Sequence, residues 1–256
     1  MGEGSVALLQ GARLAIRSHD TQYPFRQDSD FWYLTGFDHP QAVAVLRTDG
    51  GAPYTLFVEP RNREAETWTG YRPGTEGAKR DYGADEAFEI GDFEKELPDL
   101  LSKARQIYHV LGRQTDLDAK IAKILGDMRL LSREGLEPAS VIADPRNLLH
   151  EMRLRKECAE LDIMRRAAAI TAEAHSEEAR LIGEGRFEYE VAAILEYTFR
   201  RLGASGPAYT TIVGGGPNST TLHYTANDKQ LVSGELFLID SACELEGYAS
   251  DVTRTY

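Results

Sequence analysis

The chain has 256 residues, 42% hydrophobic and 27% charged, with a formal charge of −12. That balance fits one large or two small globular domains and excludes collagen-like, coiled-coil and disordered chains. With 41 acidic residues against 29 basic ones and no basic block, nucleic acid is excluded as the natural partner.

The first half alternates short apolar runs with polar helical stretches, the pattern of an α/β domain. Strands are predicted at 5–9, 13–16, 31–35, 42–46, 54–58 and 107–111, and helices at 62–69, 90–104 and 115–130. Thr115 is the expected N-cap of the last helix, which places Leu117, Ile121, Ile124, Leu125 and Met128 on one face. Pro138 and Pro145 bracket a short β-like segment at 140–143, and the domain boundary is placed there, giving domains 1–143 and 150–256.

The second half opens with a long helix at 156–182, stopped by Gly183 and Gly185, and a shorter one at 189–202 ending at Gly203. His175 falls on the apolar face of the long helix and reads as a satisfied core residue. Strands follow at 209–213, 236–242 and 248–256. No run of 18 apolar residues is present, and the first residues lack the basic start and apolar middle of a signal peptide. Cys158 and Cys243 are too few for a disulfide framework. The expectation is a cytoplasmic protein that does not span a membrane.

Two segments carry candidate chemistry. Leu236-Phe237-Leu238-Ile239-Asp240 and Tyr248 to Tyr256 read as a hairpin. With Glu244 to Gly247 as a four-residue turn, Cys243 pairs with Tyr248 and Asp240 comes to lie opposite Asp251. Directly opposed carboxylates repel, so a cation or a shared proton is required unless the pair is simply solvated. Hard carboxylate oxygens suit Mn²⁺, Mg²⁺ or Co²⁺, and one carboxylate can bridge two ions. The other segment is Leu222-His223-Tyr224-Thr225, preceded by Gly214-Gly215-Gly216-Pro217-Asn218. His223 is either an acid, base or oxyanion donor or a hydrogen-bonded loop residue. The glycine run lacks the Lys-Ser/Thr ending of a phosphate loop and reads as a close approach of backbone to backbone, or to a substrate.

Five ordered motifs together resemble the Xaa-Pro aminopeptidase (aminopeptidase P) family. They are Ser29-Asp30-Phe31-Trp32-Tyr33-Leu34-Thr35-Gly36-Phe37, His150-Glu151-Met152-Arg153-Leu154, Thr211-Ile212-Val213-Gly214, Leu222-His223-Tyr224-Thr225, and Ile239-Asp240 with Asp251-Val252-Thr253-Arg254-Thr255. The resemblance implies an α/β N-terminal domain with a ribonuclease-H-like mixed sheet and an α+β domain of the creatinase- and prolidase-like pita-bread fold, first half only. It implies two divalent metal ions, Mn²⁺ first with Co²⁺ or Zn²⁺ possible. It implies an enzyme that releases an N-terminal residue preceding proline from peptides by attack of a metal-bridging hydroxide.

Carried over residue by residue, Asp240 binds one metal, Asp251 bridges both, His223 stabilises the intermediate and Tyr209 supports the centre. Asp20 and Trp68 become rim residues supplied by a neighbouring subunit in a dimer or tetramer. The family's other ligands, one histidine and two glutamates, have no counterpart in this sequence, so a truncated chain, inactive alone, is expected. The rival readings are prolidase, a dipeptidase of the same fold, and a non-catalytic peptide- or protein-binding module.

Overall fold

The structure is a computed structural model and describes residues 1–131, 137–183 and 185–256. The chain divides into two compact units, Met1–Arg153 and Leu154–Tyr256.

The first unit is built on a six-stranded mixed sheet. Its strands are β1 (Ser5–Gln10), β4 (Val43–Arg47), β5 (Tyr54–Val58), β6 (Glu86–Glu89), β7 (Gln106–Tyr108) and β8 (Val141–Ala143), in the order β6-β5-β4-β1-β7-β8. The β1/β4 and β4/β5 pairs are antiparallel, and the outer pairs are parallel. The central strands read as nearly continuous apolar runs because both faces are covered. Alternate residues separate into two cores: Val6, Leu8, Val45 and Phe57 join Leu97, Ile121 and Leu125 on one face, and Leu9, Ala44, Leu56 and Val58 join Phe31, Phe37 and Ala78 on the other. A small ribbon, β2 (Ile16–Ser18) and β3 (Thr21–Gln22), stands outside this sheet.

Several expectations are corrected here. The aromatic run 31–35, read as a strand, lies in helix α1 (Ser29–Thr35). The Asp28 carboxylate accepts hydrogen bonds from the Asp30 and Phe31 amides, and Gly36 closes the helix in the left-handed conformation at φ 62°. That capping chemistry, with Phe31 and Thr35 buried one turn apart, overrides the β preference of aromatic side chains. Residues 13–15 form no strand, and the 107–111 strand stops at Tyr108. Thr115 is the first residue of helix α5 (Thr115–Leu130) rather than its cap, which is Gln114, whose side chain makes no capping bond to the helix. Helix α2 (Arg63–Thr69) is capped by the Asn62 side chain, and α4 (Phe93–Leu101), preceded by a 3₁₀ turn at Ile90–Asp92, occupies the middle of the predicted 90–104 stretch and stops three residues short of its end. Helices α3 (Gly74–Tyr82) and α6 (Arg146–Leu154) were not anticipated.

In the second unit, α7 (Cys158–Leu181) and α8 (Glu188–Arg201) match the two predicted helices. They pack Ala167, Ala174, Val191, Leu195 and Phe199 against Val213, Phe237, Ile239 and Cys243. The sheet residues belong to β10 (Ile212–Gly215), β11 (Phe237–Asp240) and β14 (Thr253–Thr255), ordered β10-β11-β14, and to a second sheet, β13 (Tyr248–Ala249), β12 (Cys243–Leu245) and β9 (Gly206–Pro207). Along β11, Phe237 and Ile239 enter the helical core, so Leu238 and Asp240 face the other way.

Candidate metal centre

The hairpin register differs from expectation by two residues. The turn is the two-residue Glu246-Gly247, both at positive φ (51° and 80°), so Leu245 pairs with Tyr248 and Glu244 with Ala249. Asp240 therefore faces Thr253, not Asp251. A slip of two preserves the face, because side chains alternate with period two, so Asp251 becomes a diagonal neighbour rather than a direct one. The predicted strand 248–256 is likewise interrupted between β13 and β14.

The two carboxylates meet on a third residue. The Tyr209 hydroxyl lies 2.6 Å from Asp240 Oδ1 and 3.1 Å from Asp251 Oδ1. A phenol has one proton to donate, so it serves one carboxylate at a time, the shorter contact naming Asp240. Burial, then the Asp240 hydrogen bond and the charges of both aspartates, hold the Tyr209 phenol far above its usual titration range, which keeps it a neutral donor. Tyr209 precedes β10, whose pairing begins at Ile212 rather than at the predicted 209, and the Ala208 amide donates to the Ala242 carbonyl at 2.8 Å. These contacts fix the chain on both sides of the trio.

Beneath it lies a buried polar layer that sequence reading missed. Thr211, next to β10, contacts the Ser241 hydroxyl at 3.1 Å and donates to Glu196 at 3.0 Å. His175 is buried as expected, and its Nε2 donates to the Ser241 carbonyl at 2.9 Å, which fixes the protonated nitrogen. The Asn227 side chain accepts from the Val213 amide and donates to the Thr211 carbonyl.

His223 is exposed, on the segment between a 3₁₀ turn at Gly216–Thr220 and β11, and shares no hydrogen bond with the aspartates or Tyr209. Its neighbour Tyr224 donates to Glu188 at 2.8 Å, and desolvation together with that bond pushes the phenol up to about 12. The glycine run does provide a close backbone approach: a Cβ on Gly214 would stand 2.9 Å from the backbone of Asn218. Asp20 and Trp68 lie in the first unit, both exposed, Trp68 at 84%. Trp68 lines a cavity of about 390 Å³ with Phe25, His39 and Tyr71.

Models of two families match the chain: the aminopeptidase P N-terminal domain over residues 1–108 and metallopeptidase family M24 over residues 162–256. The chain joins an aminopeptidase P N-terminal domain to an M24 metallopeptidase domain. The Xaa-Pro aminopeptidase of Escherichia coli is 40% identical over 258 residues, covering all of this chain and 58% of that protein. The solved aminopeptidase PepP of Pseudomonas aeruginosa superposes with a TM-score of 0.95 at 42% identity, over all of this chain and 58% of that one. Two structures of E. coli aminopeptidase P, one zinc-substituted with product and one with the inhibitor Pro-Leu, superpose at 0.94 and 40% identity, with 59% and 58% of their chains covered. This chain thus spans somewhat more than half the length of these relatives. The mixed sheet and the M24 unit agree with the fold class implied by the sequence, an aminopeptidase P domain followed by the first half of a pita-bread domain.

Proposed function

We propose that this chain supplies the first part of a metal-dependent Xaa-Pro aminopeptidase, which hydrolyses the bond between a first residue and a following proline. The observation that carries the reading is the convergence of Asp240 and Asp251 on one phenol, two hard-oxygen donors sharing a single proton. That surplus of acceptors suits divalent cations, and the zinc-substituted relative supports them. When bound, two such ions, manganese by preference and cobalt or zinc as alternatives, supply water activation and carbonyl polarisation.

The chain's own residues divide the remaining work. Asp240 and Asp251 would hold the ions, Asp251 as the ligand common to both. Tyr209 fixes the Asp240 carboxylate by its 2.6 Å bond. His223, exposed beyond the glycine run, offers a hydrogen bond to the substrate oxygen that gains charge. Trp68 and Asp20 form the rim of a neighbouring subunit's site in a dimer or tetramer, where an exposed indole suits a proline ring.

Two carboxylates fall short of the roughly five protein ligands that a two-ion centre uses. Among the described residues no group of three or more His, Cys, Asp or Glu could hold a metal. Residues 1–256 alone should therefore bind metal weakly and be inactive. This donor count also favours the second reading, a non-catalytic module that binds proline-containing peptides. Both cysteines are unpaired, Cys158 exposed, which supports a reducing compartment, the cytosol.

Intact mass and metal content, taken on one purified sample, test the proposal. A mass above 28.5 kDa with about two divalent ions per chain, lost in Asp251→Asn together with Ala-Pro-Xaa hydrolysis, is the expected result. Full turnover and full metal content in Asp251→Asn would remove Asp251 from the centre. A 28.5 kDa protein that takes up no Mn²⁺ but binds Pro-Leu moves the non-catalytic reading forward.

A further inference from the structure

The segment that carries His223 runs from β10 to β11 with little regular structure of its own. One buried carboxylate gathers it. Glu188, in the first turn of α8, is 0% exposed. Its Oε1 accepts from the Gly215 amide at 2.8 Å and the Asn218 side-chain amide at 3.3 Å. Its Oε2 accepts from the Tyr224 hydroxyl at 2.8 Å and the Lys229 amide at 3.0 Å. The Glu188 amide donates in turn to the Lys229 carbonyl at 2.9 Å.

The four donors come from the start, middle and end of residues 215–229, so one side chain sets the shape of the loop. A carboxylate can do this because it is acceptor-only, with about four lone-pair sites, all of them used here. Burial makes each bond count, since an unpaired group at this depth has no water to turn to. Asn227 anchors the far arm to β10 independently, through Val213 and Thr211. Among the described residues, the other hydrogen-bond contact of the Tyr224 hydroxyl, at 3.3 Å, is with Asp228, which is itself in the loop.

We infer that Glu188 is the positioning residue for His223, holding the 215–229 loop so that the imidazole is presented to the substrate. The inference rests on the reading of His223 as a substrate-facing group. Glu188 acts through Tyr224 and the loop backbone and touches no reacting atom.

Glu188→Gln tests this with a near-isosteric change. The amide keeps one acceptor oxygen and turns an NH₂ toward two groups that are themselves donors. Hydrogen exchange on the full chain should show residues 215–229 losing protection at least tenfold, while 237–245 and the first unit stay as in wild type. The His223 ring C–H signals, assigned by their loss in His223→Gln, should move to averaged solvent values in Glu188→Gln and return toward wild type in Glu188→Asp. Tyr224→Phe removes a single donor and should loosen only residues around 222–226, which keeps the test alive if Glu188→Gln folds poorly.

Unchanged exchange and unchanged His223 signals in Glu188→Gln overturn the inference. So does an equal loss of protection across 237–245, which would make Glu188 a general stability residue. If instead the loop loosens as expected but His223→Gln leaves Xaa-Pro peptide turnover intact in the metal-loaded enzyme, it is the reading of His223 that fails.

Discussion

At the level of single residues, the centre depends on a proton shared unequally. Tyr209 is the neutral donor between Asp240 and Asp251, and its hydroxyl is the group that both diagonal carboxylates contact. Hydrogen bonds to charged groups contribute about 1.5–3 kcal/mol, and partial exposure of this one places Tyr209→Phe near the lower end. The expected outcome is a melting temperature lowered by several degrees in metal-free buffer and largely recovered in millimolar Mn²⁺, because a cation replaces the lost proton. Thermal melts with and without Mn²⁺ check it, and a variant that melts like wild type without metal would show that the aspartates do not need Tyr209. Asp240 and Asp251 stood out in the sequence as acidic residues beside an expected hairpin, whereas Tyr209 was named only through the family resemblance. Glu188 and Asn227 were not legible: a glutamate in the first turn of a helix is expected from the dipole alone, and neither the four donors on Glu188 nor the strand contacts of Asn227 leave a local pattern. The two-residue error in register was harmless to the site for the same physical reason that it was easy to make, since pairings differing by two present the same faces.

Individual elements show which signals dominate. Long amphipathic helices such as α5, α7 and α8 were readable because a periodic apolar face extends over about four turns or more. The seven-residue α1 was misread because its aromatic run favours a strand, while the deciding information sits one residue outside it, in the Asp28 cap, and one residue after, in Gly36. Inside α7 lies a cost that periodicity also hides. Glu178 is 0% exposed and neither carboxylate oxygen has a hydrogen-bond partner; burial raises its pKa to about 7, against a weaker opposing pull from Arg186. The folded chain holds this proton up to about pH 7, whereas the unfolded chain releases it near 4.5. Stability from this group is therefore fully present below pH 4.5, falls as pH rises through that window, and is gone above it. The loss is on the order of 3 kcal/mol. Glu178→Gln keeps the shape and cannot ionise, so its melting temperature should exceed that of wild type by several degrees at pH 8 and equal it near pH 4.5. Differential melts at the two pH values read this directly, and an equal offset at both would mean that ionisation of Glu178 is not the cause.

At the scale of the whole molecule, the two units differ in how completely they enclose their apolar surface. The first covers both faces of one sheet, with separate cores on each side, and its outer strands β6 and β8 are short. The second has one core, between its helices and sheets, and ends on β14, a strand exposed at all three positions beside the exposed Leu236 and Tyr256. Unit 1 should therefore behave as an independent domain and unit 2 should not. Expressed alone, residues 1–153 are expected to be soluble and monomeric with a single cooperative calorimetric transition, because every residue of its two cores lies within the segment. Residues 154–256 alone are expected to self-associate through the open sheet edge, or to melt broadly. Size-exclusion chromatography and calorimetry on both fragments settle the matter. A fragment 1–153 that binds ANS and lacks a transition would place the true boundary elsewhere. A fragment 154–256 that is monomeric and melts sharply would show that the edge at β14 needs no partner.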